Sequence, residues 1–349
     1  MKVIVGMSGG VDSAVAAYLL QKEGYEVIGV TLRTDTAETR CCEIDDAQAV
    51  ARKLHMRYVA PNVITDFSEK VKKPFFNAYI HGITPNPCVE CNRYVKWARM
   101  MYYAEVLGAD FVATGHYASV VKLPNGRYTV QQAASAEKDQ TYMLYKLTQD
   151  QLAHTLMPLG KLTKAEVRRI AADAGLPVAQ KQDSQEICFV TEGNYADYIE
   201  KDLPVPGPGN FVSVEGKVLG RHQGIFHYTV GQRRGLGIAA GVPVYVKQIR
   251  PDTNEVVLGD EQSLYSSEIC CHELNFLSIS GIEEGKPIRA RVKIRYHHEG
   301  EWASIERNSD DQVRICFDAP VRAATPGQSA VFYDEENRVI GGGIIMNQI

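Results

Sequence analysis

A glycine-rich turn near the start of the chain limits the fold more than any other feature. Lys2–Val5 is a short β-rich run that leads directly into Gly6-Met7-Ser8-Gly9-Gly10-Val11-Asp12-Ser13. Val11–Glu23 then carries apolar residues at helical spacing, and Gly24 follows as a stop. A strand that ends in paired glycines and turns into a helix lets backbone N–H groups converge on an anion with no Cβ in the way. The helix N-terminus adds its dipole. Ser8 and Ser13 can donate hydroxyls to phosphate oxygens, whereas Asp12 repels phosphate and suits Mg²⁺ or an orienting role. The bland alternative is an N-capped helix after a strand, and a bare Gly-Gly would leave it ahead. The whole SGGVDS string after a first strand does not. No GxxxxGK[ST] occurs, so this is not a Walker loop.

The following segments keep alternating. Val27–Leu32 is apolar, Ile44–Leu54 helical and Tyr58–Ala60 extended. Ser68–Ile80 is helical with an interruption at Pro74, and Arg93–Leu107 is helical up to Gly108. Phe111–Ala113 is another buried strand. Strand and helix in alternation predict an α/β domain with a parallel sheet covered on both faces. Thr163-Lys164-Ala165-Glu166 is a capping box that opens a helix, and Gly175 ends it. The stretch from Leu203 to Gly209 is a Pro/Gly-rich break, and beyond it the chain reads as short strands, including Tyr245–Arg250 and Glu255–Leu258. A last all-β segment begins near Leu274. The expected divisions are therefore 1–203, 204–273 and 274–349. At 349 residues with 45% hydrophobic content, the chain is too long for one ordinary domain.

Eight cysteines in such a chain are not a disulfide scaffold. The N-terminus turns polar at once and lacks the plan of a secretory signal. No apolar run reaches the length of a membrane span. The expected location is the cytoplasm, where thiols stay reduced. Thr84-Pro85-Asn86-Pro87-Cys88-Val89-Glu90-Cys91-Asn92 is a proline-rich turn leading into a helix, which would lower the pKa of Cys91 if that residue stands at the helix N-terminus. Cys188 follows the polar run from Asp183 to Glu186 and is expected in an accessible loop. Three readings compete: buried structural thiols, a zinc site without its second ligand pair, and sulfur transfer between two thiols that meet in space. The adjacent pairs Cys41-Cys42 and Cys270-Cys271, together with Cys316, read as packing residues.

The formal net charge is −4, so any nucleic-acid surface must be gathered locally. Ile288-Arg289-Ala290-Arg291-Val292-Lys293-Ile294-Arg295 alternates apolar and basic residues. In a strand that pattern packs one face and leaves a cationic stripe of Arg289, Arg291, Lys293 and Arg295 on the other. An ordinary solvated face is the alternative, but Tyr296 and His297 add stacking surface suited to RNA. The basic turn Gln232–Gly237 and Lys164, Arg168 and Arg169 on the capped helix are further candidates.

SGGVDS resembles the signature of the PP-loop ATP pyrophosphatases, which cleave ATP between the α- and β-phosphates and adenylate a carbonyl or amide oxygen. The later strings resemble one family within that group, the MnmA-type tRNA-specific 2-thiouridylases. They are TPNPCVECN at 84–92, TGHYA at 114–118, KDQTYML at 138–144, QEICFV at 185–190, GIFHYTVGQRRGLGI at 224–238, RYH at 295–297 and TPGQ at 325–328. The likeness covers the whole length. It implies a PP-loop (adenine nucleotide α-hydrolase-like) catalytic domain, a small β-rich central domain and a C-terminal β-barrel that binds tRNA.

For function, the resemblance implies replacement of the C2 oxygen of the wobble uridine by sulfur in glutamate, glutamine and lysine tRNAs, with ATP and Mg²⁺. Residues 6–13 (Gly6, Met7, Ser8, Gly9, Gly10, Val11, Asp12, Ser13) would bind ATP, with Leu32 and Gly115 lining the nucleotide pocket. Cys91 matches the nucleophile and Cys188 the persulfide carrier. Asn86, Pro87 and Cys88 match the segment that meets the target base. His116, Lys138, Asp139, Gln140, Arg295, Tyr296 and Gln328 match tRNA contacts. A cysteine desulfurase or relay protein would supply sulfur. Many members have Asp where this chain has Cys88, and Cys88, Cys91 and Cys188 could then hold a [4Fe-4S] cluster. A PP-loop ligase acting on a small molecule is the alternative.

Overall fold

The computed structural model of the protein describes residues 1–34, 41–182, 187–190, 195–202, 204–239 and 241–347. Its first unit is a five-stranded, all-parallel sheet. In spatial order the strands are Arg57–Val59, Glu26–Val30, Lys2–Gly6, Phe111–Ala113 and Thr155–Leu156. The period-two rule divides the first strand between two cores. Val3 and Val5 face the helix Val11–Lys22 and the capped helix Lys164–Asp173, while Ile4 faces Trp97, Met100 and Val112. Both faces are covered, as the continuous apolar strands require.

This strand order decides where a ligand can sit. Chain order runs outward from Lys2–Gly6 in one direction and then, with Phe111–Ala113, in the other. The loops leaving these two neighbours diverge and open a crevice at their carboxyl ends. SGGVDS and TGHYA are those two loops.

Several boundaries differ from the sequence reading. Helix begins at Ile64, passes through a π-helical turn at Ser68–Lys72, and resumes as Lys73–Ile80 with Pro74 in its first turn. The helix expected from Arg93 already starts at Pro87, runs through the π-helical turn Asn92–Trp97 and continues as Ala98–Leu107. Gly108 ends it in a left-handed conformation, φ 64°.

A four-stranded sheet follows, ordered Tyr245–Arg250, Glu255–Gly259, Gly209–Ser213 and Val218–His222. The last unit is a closed six-stranded barrel. Its first strand, Tyr265–Phe276, crosses the expected division at 273/274. The pattern break near Leu274 has a local cause: Glu273 takes φ 50° at a register shift between His272 and Asn275, which bends the strand on its way from one barrel neighbour to the other. Leu203, at the other expected division, lies outside the described residues.

The barrel is fused to the first unit through a shared core. Leu277, Val331, Tyr333 and Val339 pack with Ile4, Trp97 and Tyr142. The hairpin Ala118–Lys122/Tyr128–Gln132 is tied to the barrel by Arg127, which donates to Leu277 O and Phe276 O at 2.8 Å each, and by Thr129 Oγ1 to Val339 O. Among the described residues no helix is long and apolar enough to cross a membrane.

Candidate functional site

The glycine turn forms as its sequence requires. Gly9 has φ 69°, which only glycine adopts without strain, and Gly10 is the N-cap of Val11–Lys22 with no side-chain cap. The loop is held from behind: Met7 N–H donates to Val30 O, and Thr31 Oγ1 donates to Met7 O, both at 2.8 Å. Ser13 Oγ accepts from Ser8 N at 3.2 Å and donates to Gly10 O at 3.1 Å. The first-turn N–H groups and the dipole of the helix therefore face an anion site bordered by Ser8.

Gly115 belongs to this site for a steric reason. A Cβ there would lie 2.7 Å from both Asp12 C and Ser13 N. The second loop thus rests directly on the backbone of the first. Tyr117 OH donates to Asp12 Oδ1 at 2.8 Å, and Lys164 Nζ lies 2.8 and 2.9 Å from the two Asp12 oxygens. Leu32, two residues past the end of the strand Glu26–Val30, packs between the cores that contain Trp97 and Phe189.

The cysteine segment is built around Asn86. Its Oδ1 accepts from Cys88 N and Val89 N at 3.1 and 3.4 Å and so caps the helix Pro87–Cys91. Cys91 closes that helical turn rather than opening it, so the expected lowering of its pKa does not occur. It packs against the Phe67/Phe75/Phe76/Phe189 cluster, and burial pushes its thiol up to about 12. The Lys96 ammonium and backbone N–H oppose this, while Cys188 and Cys88 add to it. Cys88 opens to solvent, yet the protein around it also raises its thiol, with Cys188 adding to the effect and Lys96 opposing it. Cys188 is exposed on a short turn closed by Val190 N–H to Ile187 O and anchored by buried Phe189. The residues 183–186 before it lie outside the described residues. Cys188, distant in sequence, therefore stands within electrostatic reach of the neighbouring Cys88 and Cys91. Cys271 is buried, and Cys270 and Cys316 sit on the barrel away from this group.

Lys96 was not singled out from sequence. The π-helical turn Asn92–Trp97, an i→i+5 geometry that sequence patterns do not show, brings it under Cys91. It also influences His116, whose imidazole burial holds well below its ordinary pKa. Thr114 Oγ1 is 2.7 Å from His116 Nδ1, and the ring lies 5.4 Å from that of Trp97. His116 adjoins Gly115, so Asp12, Gly115, His116, Lys96 and Cys91 connect the phosphate loop to the thiols.

The barrel braces the cysteine segment from the far side. Gln328 Nε2 donates to Thr84 O and Pro85 O at 2.9 and 3.4 Å, and Thr84 N–H donates to Pro326 O. Gln328 is therefore turned to the protein. Behind the helix, buried Lys146 bonds Glu90 at 2.8 Å and Glu273 at 3.1 Å, which links the catalytic unit to the barrel's first strand. Asp139 is likewise no surface group. It is buried, accepts from Ala133 N and from Thr141 N and Oγ1, and burial raises its pKa despite those bonds. Gln140 Oε1 accepts from Tyr117 N at 2.9 Å. Lys138 ends a short 3₁₀ turn beside them.

The alternation over 288–295 is present, with Ala290, Val292 and Ile294 buried. The cationic stripe is not uniform. Arg289 is paired with Asp318, Arg291 donates to Asn337, and Arg295 donates to Arg322 O. Lys293 lies 6.0 Å over the Tyr333 ring. Tyr296 is half-buried edge-on to Tyr142, with Asp139 and Cys88 near enough to help burial raise its phenol, and His297 is exposed.

Three family models match in succession: "tRNA methyl transferase HUP domain" over residues 1–192, "tRNA methyl transferase PRC-barrel domain" over 196–260, and "Aminomethyltransferase beta-barrel domain" over 266–345. Two curated relatives are named tRNA-specific 2-thiouridylase MnmA. One, from Lachnoclostridium phytofermentans, is 51% identical, and the other, from Acetivibrio thermocellus, is 49% identical. Each alignment covers 99% of this chain and 99% of the relative. The chain belongs to the MnmA-type tRNA-specific 2-thiouridylase family. A solved structure of the U34-tRNA thiolase NcsA from Methanococcus maripaludis, with its [4Fe-4S] cluster, overlaps 58% of this chain and 63% of that one at 19% identity and a TM-score of 0.37. That overlap is too loose to carry chemistry across.

Within this MnmA-type chain the fit to a metal is testable from the side chains. Among the described residues no group of three Cys, His, Asp or Glu converges closely enough to hold a metal ion. Cys88, Cys91 and Cys188 are therefore not brought close enough together to ligate a single ion. Asp12, the carboxylate suited to Mg²⁺, is neutralised by Lys164. Mg²⁺ accordingly belongs with the nucleotide substrate.

Proposed function

We propose that this chain uses MgATP to adenylate the C2 oxygen of a tRNA wobble uridine and exchanges that oxygen for sulfur. The observation that carries the reading is the connection just described: an anion-binding loop at the sheet's switch point joined through His116 and Lys96 to thiols that sense one another. Methyl transfer, which two family descriptions mention, needs no paired thiols and no such loop. The names of the relatives agree with sulfur transfer.

In this reading Gly6–Ser13 cradle the phosphates while Leu32 and Gly115 line the nucleotide pocket. The uridine O2 bonds to the α-phosphorus, the bond to the bridging oxygen breaks, and pyrophosphate leaves with the electron pair as N3 loses its proton. The base must be turned out of the anticodon stack to reach Asn86, Pro87 and Cys88. Cys188 carries a persulfide loaded by a cysteine desulfurase or relay protein. Its terminal sulfur attacks C2, the C2–O bond breaks and AMP departs. Cys91 thiolate then attacks the Cys188 sulfur. A Cys91–Cys188 disulfide forms, the base keeps the second sulfur and regains its proton, and an external thiol reductant resets the pair.

His116, Lys138, Arg295 and Tyr296 are proposed to meet the tRNA, whereas Asp139, Gln140 and Gln328 shape the surface behind them. The proposed substrates are the glutamate, glutamine and lysine tRNAs, and the proposed location is the cytoplasm. The test is thiolation of an unmodified glutamate tRNA transcript with ATP, Mg²⁺ and a persulfide donor, with 2-thiouridine read by mass spectrometry. ATP-dependent mass gain at the wobble position is expected. Pyrophosphate release that ignores tRNA would point instead to a small-molecule acceptor and overturn the reading.

A further inference from the structure

We infer that Cys88 is a recycling thiol: after sulfur transfer it displaces Cys188 from the Cys91–Cys188 disulfide, closes a Cys88–Cys91 bond within one helical turn, and frees Cys188 to be loaded again. This rests on the sulfur-transfer reading above, in which Cys91 and Cys188 end joined and the pair alone cannot part itself.

Cys88 and Cys91 lie three residues apart in the helix Pro87–Cys91. Cα atoms so spaced in an α-helix are about 5 Å from each other, inside the window of about 4.4–6.8 Å that a disulfide spans. Asn86 Oδ1, which accepts from Cys88 N at 3.1 Å, pins the start of this turn. Cys188 belongs to a separate segment and is exposed, as Cys88 is, whereas Cys91 packs against the Phe67/Phe75/Phe76/Phe189 cluster. To bond Cys188, the Cys91 sulfur has to swing to the open side of its helix, and Cys88 is already exposed there. Cys88 faces both Cys188 and Tyr296, since each is near enough to couple to it electrostatically.

The step is a thiol–disulfide exchange. Cys88 thiolate attacks Cys91 Sγ, the Cys91–Cys188 bond breaks, and the electron pair leaves on the Cys188 sulfur. The proton that Cys88 gave up to solvent is matched by the one Cys188 takes. Nothing is oxidised or reduced overall, and the external thiol reductant of the sulfur-transfer reading then reduces Cys88–Cys91. Leaving-group strength sets which sulfur is attacked. Attack at Cys188 would expel Cys91, whose thiol burial raises to about 12 and which therefore leaves poorly. Attack at Cys91 expels the exposed Cys188. Oxidation also favours the attacker. Charge on Cys188 helps to raise the Cys88 thiol while Lys96 lowers it, and tying Cys188 into a disulfide removes the first influence and keeps the second.

The test is one turnover of the persulfide-loaded full chain with tRNA and MgATP and without reductant. Free thiols are then alkylated after an acid quench, and the protein is digested with trypsin under non-reducing conditions. Cys88 and Cys91 fall in one tryptic peptide and Cys188 in another, so mass spectrometry separates the possible bonds. The expected product is a Cys88–Cys91 bond within one peptide and an alkylated Cys188. Cys88→Ser should instead leave the two peptides cross-linked through Cys91 and Cys188. It should also lose the uptake of a second, isotopically labelled persulfide sulfur before reductant is added, an uptake the wild-type chain should show. A wild-type chain that keeps Cys91–Cys188 with Cys88 alkylated would overturn the inference, whatever the variant does. So would 2-thiouridine formed while all three thiols stay reduced. A wild-type chain that forms neither 2-thiouridine nor a disulfide would instead overturn the sulfur-transfer reading itself.

Discussion

Cys91 should be a poor nucleophile in the protein alone. Burial pushes its thiol up to about 12. At pH 7.5 such a thiol is only about 3 × 10⁻⁵ ionised, against about 0.1 for an ordinary thiol near 8.5. A more basic thiolate attacks disulfides faster, with a Brønsted slope of about 0.4–0.5, which recovers about thirty- to fiftyfold of that deficit. The net expectation is exchange with a small disulfide reagent about a hundredfold slower than a free thiol, before any loss from restricted access. Rate as a function of pH separates the two effects. Restricted access lowers the rate at every pH, whereas a raised pKa makes it climb about tenfold per unit from pH 7 to 10 with no plateau.

The assay is timed labelling at a series of pH values, quenched in acid, with tandem mass spectrometry to tell Cys91 from Cys88. The urea-unfolded chain supplies the free-thiol reference and should plateau above about pH 9. Lys96→Met should slow Cys91 further, because the Lys96 ammonium opposes the burial. A plateau at pH 9 in the folded protein, or labelling as fast as in urea, would refute the account. If it holds, the reaction must include a step that moves Cys91 out of the Phe189 cluster or brings positive charge to it.

Four other outcomes are expected. Gly115→Ala places a methyl 2.7 Å from the backbone of Asp12 and Ser13, where overpacking costs about 1–3 kcal/mol, so the KM for MgATP should rise about tenfold or more with tRNA affinity unchanged by filter binding. Gln328→Ala leaves Thr84 O and Pro85 O without their donor, and at about 1–3 kcal/mol for the lost bonds thiolation kcat should drop severalfold while ATP binding by calorimetry holds. Lys146→Met should lower stability in urea by about 1–2 kcal/mol, a figure reduced for the exposure of Glu90 and Glu273 and for the relief of burying the cation. Stability should also fall as pH rises above about 8.5, since Cys88, Cys91 and Cys271 all have thiols raised by burial, the folded state then binds more protons than the unfolded one, and the slope is negative; urea midpoints from pH 7 to 10 check this.

Features governed by local chemistry were legible in the sequence. The strand-to-glycine-to-helix pattern at residues 2–22 was legible as the strand, tight turn and helix it forms, because Gly9 at positive φ and an uncapped helix start admit few other structures. The Thr163 capping box and the alternation over 288–295 were equally direct. Two kinds of feature were not. The π-helical turn after Cys91 leaves no mark in a 3.6-residue pattern, so Cys91 was placed at the start of a helix that already begins at Pro87, and Lys96 went unnoticed. Long-range burial was also hidden. Asp139 and Gln328 are matched to tRNA contacts by the resemblance, and the sequence carries no sign of the protein partners that the folded chain gives them.

That packing explains why the barrel is more than an added RNA platform. Gly327 has φ 88°, and a Cβ there would strike Ile83 Cγ2 at 2.2 Å and Thr84 O at 3.0 Å, so TPGQ and TPNPC fit only as one surface. The bonds from Gln328, the Thr84–Pro326 contact and the Lys146 bridge from Glu90 to Glu273 all converge on a single helical turn that carries Cys88 and Cys91. Any displacement of the barrel relative to the sheet must therefore strain this turn. In the proposed binding mode, a tRNA that bridges Arg295 and Tyr296 on the barrel side and His116 on the sheet side pulls on both partners of that joint. The proposed RNA contact is then mechanically continuous with the helix that holds the Cys91 thiol, and the prediction that follows is that Cys91 is released only when the correct acceptor is in place.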